Sequence, residues 1–279
     1  MYKNEYINIV KEKKLSKESQ KVIINQIERY YSIEKNYKPK TFNYVIGDKV
    51  LLKKGTLLHG TYKNLEGLKE IVRNGLISSW FIEGNSSKYP SSVGVWNLQH
   101  DWQLVDYINF YSGGTIKYNG LLRNNNYTLE NRTEVISFND MVNINNIVLK
   151  NPCRMWYMEQ TKEARFMPSL VQNQVQIGII FNGDNHDLVN GDILSDKLSD
   201  EEVKDFVNPN YYERFLEDRK NKDDFFTDRE SAILFGLPSC LIEGILVGRE
   251  YEKNNEILNE IKEILPNCYI CNLDGIVIK

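Results

Sequence analysis

Cysteine and histidine are scarce. Four cysteines, at positions 153, 240, 268 and 271, are too few and too scattered for a secreted disulfide framework. Cys268 and Cys271 form one CxxC pair, but a zinc ribbon needs a second pair, so buried or strand-end thiols are the expectation. With only His59, His100 and His186 available, a zinc cluster is hard to assemble, and there is no HExxH. A Walker loop and a GxGxxG following a strand are also missing, which removes the common nucleotide-phosphate and dinucleotide cradles. No stretch approaches the roughly eighteen consecutive apolar residues of a membrane span. The opening MYKNEYINIVKEKKLSKES is Lys-rich and polar where a signal peptide would need an apolar core, so the expectation is a cytoplasmic protein without a membrane partner. Nor is there a dominant charge: the net value is -3, which argues against electrostatic nucleic-acid binding by the protein as a whole.

What is present is the composition of a globular protein. Over 279 residues, 41% apolar and 26% charged, the chain can bury a core as one large domain or as a domain with a modest appendage. Charge is uneven locally: residues 1–55 carry 13 Lys+Arg against 6 Asp+Glu, while residues 183–230 carry 15 acids against 7 bases. Such runs are ordinarily solvated faces.

Apolar residues at helical spacing (Ile23, Ile24, Ile27, Tyr30, Tyr31), preceded by Ser16 as N-cap, predict that the first 35 residues are helical. Residues 36–41, with Pro39, interrupt that pattern and give a boundary between a helical segment, 1–40, and a main domain, 41–279. Strands are predicted at 48–52 and 56–58, the second leading into His59-Gly60-Thr61. Leu65, Leu68, Ile71 and Val72 then stripe a short helix that Asn74-Gly75 ends in left-handed conformation. Further strands are predicted at 93–96, 133–138, 146–150, 175–181, 231–236 and 242–248, with CYICNLDGIVI closing the sheet. Helices are predicted around 104–110, 199–220 and 251–264. Strands dominate the middle and helices are interspersed singly, so the class is α+β rather than a regular βαβ series.

The distinctive feature is a histidine after a short strand, then Gly-Thr, a short helix, and Gly75-Leu76. The segment LLHGTYKNLEGLKEIVRNGL resembles the first NAD-binding motif of the diphtheria-toxin and poly(ADP-ribose) polymerase branch of the ADP-ribosyltransferases. That family next has a Gly-x-Tyr and a second tyrosine eleven positions on, whose rings sandwich nicotinamide. Here Gly94-Val95-Trp96 stands at the first place and Tyr107 at the second, the tryptophan keeping a stacking face. The family's last landmark is a glutamate opening a strand, and DRESAILFGLPSCLIEGILV is similar to it, which assigns Glu230. The resemblance covers residues 51–248, with 115–225 matching only in the general order of elements.

The resemblance implies an ADP-ribosyltransferase-like split β-sandwich with an NAD cleft between two sheets, no metal, and transfer of ADP-ribose from NAD to a protein or nucleic acid. It implies a catalytic Glu230, with His59, Gly60, Thr61, Trp96 and Tyr107 binding NAD. Asp228 stands where many family toxins have Gln or Glu, which argues against arginine as the acceptor. The chemistry suits these residue types on its own terms. Loss of nicotinamide leaves an oxocarbenium-like ribose that a carboxylate stabilises. A histidine can bond the adenosine ribose, and a glycine bares backbone N–H and C=O for the carboxamide. Each has a plainer alternative: His59 in a capped turn, Trp96 and Tyr107 in the core, and Glu243 as the active carboxylate in place of Glu230. Two other functions stay open, an NAD glycohydrolase using water as acceptor and a nucleotide-binding module without turnover.

Overall fold

A computed structural model describes residues 2–61, 63–82, 93–97, 101–103, 135–137, 154–158, 163–167, 176–182, 230–248 and 251–279. The stretch expected to be helical is two helices. α1 (Lys3–Glu12) buries Tyr6 and Val10, and α2 (Lys17–Asn36) buries Ser19, Ile23, Gln26, Ile27 and Tyr30, a stripe three and four residues apart. Ser16 ends the break between them, its Oγ accepting from the Ser19 backbone N–H at 3.1 Å. Two further helices are α3 (Asn64–Asn74) and α4 (Asn255–Ile264).

In chain order the early strands are β1 (Leu51–Leu52), β2 (Leu57–Thr61), β3 (Leu76–Ile77), β4 (Val93–Asn97) and β5 (Trp102–Gln103). A middle group follows: β6 (Val135–Ser137), β7 (Arg154–Met158), β8 (Glu163–Met167) and β9 (Ile177–Phe181). The last are β10 (Glu230–Ile233), β11 (Gly236–Leu237), β12 (Ile242–Val247) and β13 (Tyr269–Asn272). The protein is therefore α+β with a mixed sheet. Among the described residues no helix is long and apolar enough to cross a membrane.

The chain divides into two units. The first holds Met1–Pro39, Glu70–Gln99 and Gly183–Leu241. Its helices α1 and α2 pack aromatic residues around Phe235, and its strands pair as β10 with β4 and β11 with β3, both antiparallel. The predicted single strand at 231–236 is thus split. Ile233 makes the last rung to Val93, Leu234 and Phe235 turn into the core fully buried, and Gly236 opens a new pairing with Ile77. Gly236 lies so close to the Leu76 carbonyl oxygen that a Cβ there would overlap it.

The second unit holds Lys40–Lys69, His100–Asn182 and Ile242–Lys279. Within it β2, β9, β12 and β13 are consecutive neighbours. β9 (IGIIF) is buried at every position, as its apolar run requires, and pairs antiparallel with both β2 and β12. β12 and β13 are parallel, and the crossover between them carries α4. Asn254 caps α4, its Oδ1 accepting from the Glu256 and Ile257 N–H groups at 3.1 and 3.2 Å. After β13 the chain turns at Gly275, in left-handed conformation (φ 73°), and returns alongside. Ile278 N–H donates to Ile270 C=O at 2.8 Å and Ile270 N–H to Lys279 C=O at 2.9 Å. The same tail pairs outward, Val277 N–H donating to Asp48 C=O at 2.9 Å and Gly47 N–H to Val277 C=O at 2.8 Å.

A three-stranded antiparallel sheet, β6-β8-β7, contains the predicted strand near 133–138 and adds a β7–β8 pairing that the pattern had not suggested. The helices expected at 104–110 and 199–220 and the strand at 146–150 lie outside the described residues.

Candidate functional site

In the first unit, β10 and β4 run antiparallel with Glu230 opposite Trp96, Ser231 opposite Val95, Ala232 opposite Gly94 and Ile233 opposite Val93. Val93 and Val95 are buried, at 6% and 0% exposure. Glu230 and Trp96 are register partners, a carboxylate residue and an indole residue on one rung. Two residues along each strand the register pairs Gly94 with Ala232.

In the second unit, His59, Gly60 and Thr61 lie on β2, opposite Ile179, Gly178 and Ile177 of β9. The predicted strand end is three residues too early: β2 continues to Thr61, so His59 is central in it. The rung Gly60–Gly178 carries no side chain on either strand. His59 and Gly60 are half-buried, whereas Leu57, Leu58 and Thr61 are buried. Thr61 has a packing role: its Oγ1 occupies the space where a Cβ on Gly67 of α3 would fall.

The connection from β2 into α3 is fixed by Asn64, a non-glycine in left-handed conformation (φ 50°), whose Oδ1 accepts from the Gln176 backbone N–H at 2.6 Å. Left-handed Gly75 (φ 79°) follows α3, as the Asn-Gly pair predicts. Neither the Asn64 contact nor the packing of Thr61 on Gly67 was expected from the sequence. Asn is the non-glycine residue most tolerant of this conformation, which is the one local signal available.

Of the remaining expected site residues, Tyr107 and Asp228 lie outside the described residues. Glu243, the rival carboxylate, is on β12, where Tyr269 Oη donates to its Oε1 at 3.3 Å. Burial, and then the charge of Glu243, hold the Tyr269 phenol well above its ordinary range. Glu243 is thereby engaged in packing β12 against β13. The CxxC thiols behave as packed groups: Cys268 Sγ donates to Ile242 C=O at 3.3 Å and Cys271 Sγ to Ile245 C=O at 3.5 Å. Burial pushes Cys268 up to about 12 and raises Cys271 further, which suppresses the reactive thiolate. Among the described residues no group of three or more His, Cys, Asp or Glu side chains could hold a metal ion. No family model, curated protein or solved structure matches this chain.

Proposed function

We propose that the protein splits the nicotinamide–ribose bond of NAD and passes ADP-ribose to a macromolecular acceptor, on a split β-sandwich of the ADP-ribosyltransferase kind. The observation that supports this best is the rung shared by Glu230 and Trp96. Two residues far apart in the chain meet there, and they are the pair the chemistry calls for.

In the reaction, the bond from ribose C1′ to the pyridinium nitrogen breaks and its electron pair leaves with nicotinamide. The ribose becomes oxocarbenium-like, and the Glu230 carboxylate stabilises that charge and holds a ribose hydroxyl. The Trp96 indole offers a flat face to the departing ring. The acceptor's nucleophile then bonds to C1′ and loses its proton to the carboxylate or to solvent. The family resemblance assigns His59 to the adenosine ribose and the backbone of Gly60 to the carboxamide. Thr61, being buried, contributes packing and backbone only.

The test is nicotinamide release from NAD by the full chain. Glu230→Ala abolishes turnover while leaving NAD affinity within about tenfold, a loss under roughly 1.4 kcal/mol. Equal turnover in variant and parent would remove Glu230 from the reaction. Rapid release without added acceptor assigns water as the acceptor and makes the protein a glycohydrolase. Calorimetric NAD binding with no release, in buffer and in lysate, would make it a binding module.

A further inference from the structure

We propose that the paired N-terminal helices act as a positioning device for Glu230: through Tyr6 and Tyr30 they hold Phe235, which anchors the far end of the strand that Glu230 opens. This rests on the role given to Glu230 above, and it concerns residues of the first unit only.

Phe235 is fully buried and is the hub of an aromatic cluster. Tyr6 of α1 meets it edge-on with ring centroids 4.9 Å apart, and Tyr30 of α2 does so at 5.0 Å. Phe81 meets it at 5.0 Å and also touches Tyr6 at 5.6 Å, so the cluster closes on itself. Its backbone is tied as well, the Phe235 C=O accepting from the Ser78 N–H at 2.8 Å. Between the last rung of β10, at Ile233, and the first of β11, at Gly236, stand only Leu234 and Phe235. Any shift of Phe235 is therefore passed into β10.

That strand has little else to hold it. It makes four rungs, all to β4, and among the described residues no strand pairs with its other edge. Register in so short a ladder is weakly specified by backbone bonds alone. A slip of one residue would take Glu230 off the rung it shares with Trp96. Tyr6 and Tyr30 are positioning residues in this scheme, acting through Phe235 and not on substrate. The helices are accordingly a working part of the site and not a detachable tail.

The experiment uses the full chain with Phe235→Leu, Tyr6→Leu and the conservative Tyr6→Phe, which keeps the ring. Two readouts are taken: kcat and KM for nicotinamide release, and hydrogen exchange of β10 against β12. The Leu variants are expected to lose at least about tenfold in kcat with KM within about threefold, the signature of a misplaced catalytic group. Exchange of the β10 amides should speed by about tenfold or more with β12 unchanged, and Tyr6→Phe should match the parent in both. Unchanged kcat and β10 exchange in Tyr6→Leu, or equal acceleration in β10 and β12, would overturn the proposal. If Phe235→Leu does not fold, the less buried Tyr6 carries the test. If the parent releases no nicotinamide, the functional reading fails while the exchange comparison still decides whether the helices hold β10.

Discussion

Replacing Gly75 by alanine tests the corner where α3 ends, and the structure sets the size of the effect. The left-handed backbone at Gly75, φ 79°, costs a residue with a Cβ about 1–2 kcal/mol. The new methyl would also overlap the Tyr30 hydroxyl oxygen, with Tyr30 Cζ and the Leu237 carbonyl oxygen each at 3.0 Å. Tyr30 has no easy retreat. Its ring is packed against Phe235, and its hydroxyl donates to Asn74 C=O at 3.3 Å, a bond worth about 1 kcal/mol at most. Overpacking of this kind adds about 1–3 kcal/mol, so Gly75→Ala should cost about 2–5 kcal/mol in all. Urea unfolding of Gly75→Ala, Tyr30→Phe and the double variant separates the two terms. Removing the hydroxyl relieves part of the overlap, so the double variant should be about 0.5–1.5 kcal/mol more stable than the sum of the singles predicts. Additivity within about 0.3 kcal/mol, or a cost for Gly75→Ala under about 1 kcal/mol, would refute the account.

Two further outcomes follow from the same packing. Ser16→Ala should lower stability by about 1 kcal/mol through loss of the α2 cap, with Ser16→Asp close to the parent; equal melting of the alanine variant and the parent would mean that the cap contributes nothing. Alkaline pH should destabilise the fold. The Cys268 thiol, at about 12 when buried against 9.0 ordinarily, keeps its proton in the folded state and loses it on unfolding, and Cys271 does likewise. Stability is then intact below about pH 9 and declines above it, by roughly 1.4 kcal/mol per pH unit for each thiol, with Tyr269 adding to the slope beyond its own ordinary value. Unfolding titrations between about pH 8 and 11 check this, and a flat profile would contradict the burial of these groups.

Elements governed by neighbours in sequence were legible. The Ser16 cap, the apolar stripe of α3 with its Asn74-Gly75 ending, and the apolar runs of β9 and β12 each carry their instruction within a few residues. The break between β10 and β11 was not, because SAILFG reads as one strand until Phe235 is drawn among the rings of α1 and α2, far away in the chain. The pairing of β7 with β8 escaped for another reason. RMWYM does not alternate, EARFM alternates over only four residues, and the residues between them include neither glycine nor asparagine to announce a hairpin. The candidate site divides along the same line. Glu230 and Trp96 could each be nominated from short motifs, but their common rung depends on which distant strands pair, and no local pattern states that. Thr61 likewise looks like part of a ligand motif until Gly67 is found packed on its hydroxyl.

The return of the chain along β13 has a consequence for behaviour in concentrated solution. An apolar strand with bare amides on one side is a template on which a second molecule can add its own strand, and growth of that kind is how many sheets aggregate. Here the template is already taken, by residues 276–279 on one side and β12 on the other. Proteolytic clipping just after Gly275 would leave YICN with an open border, and the trimmed protein would be the sticky species in any preparation that contained it.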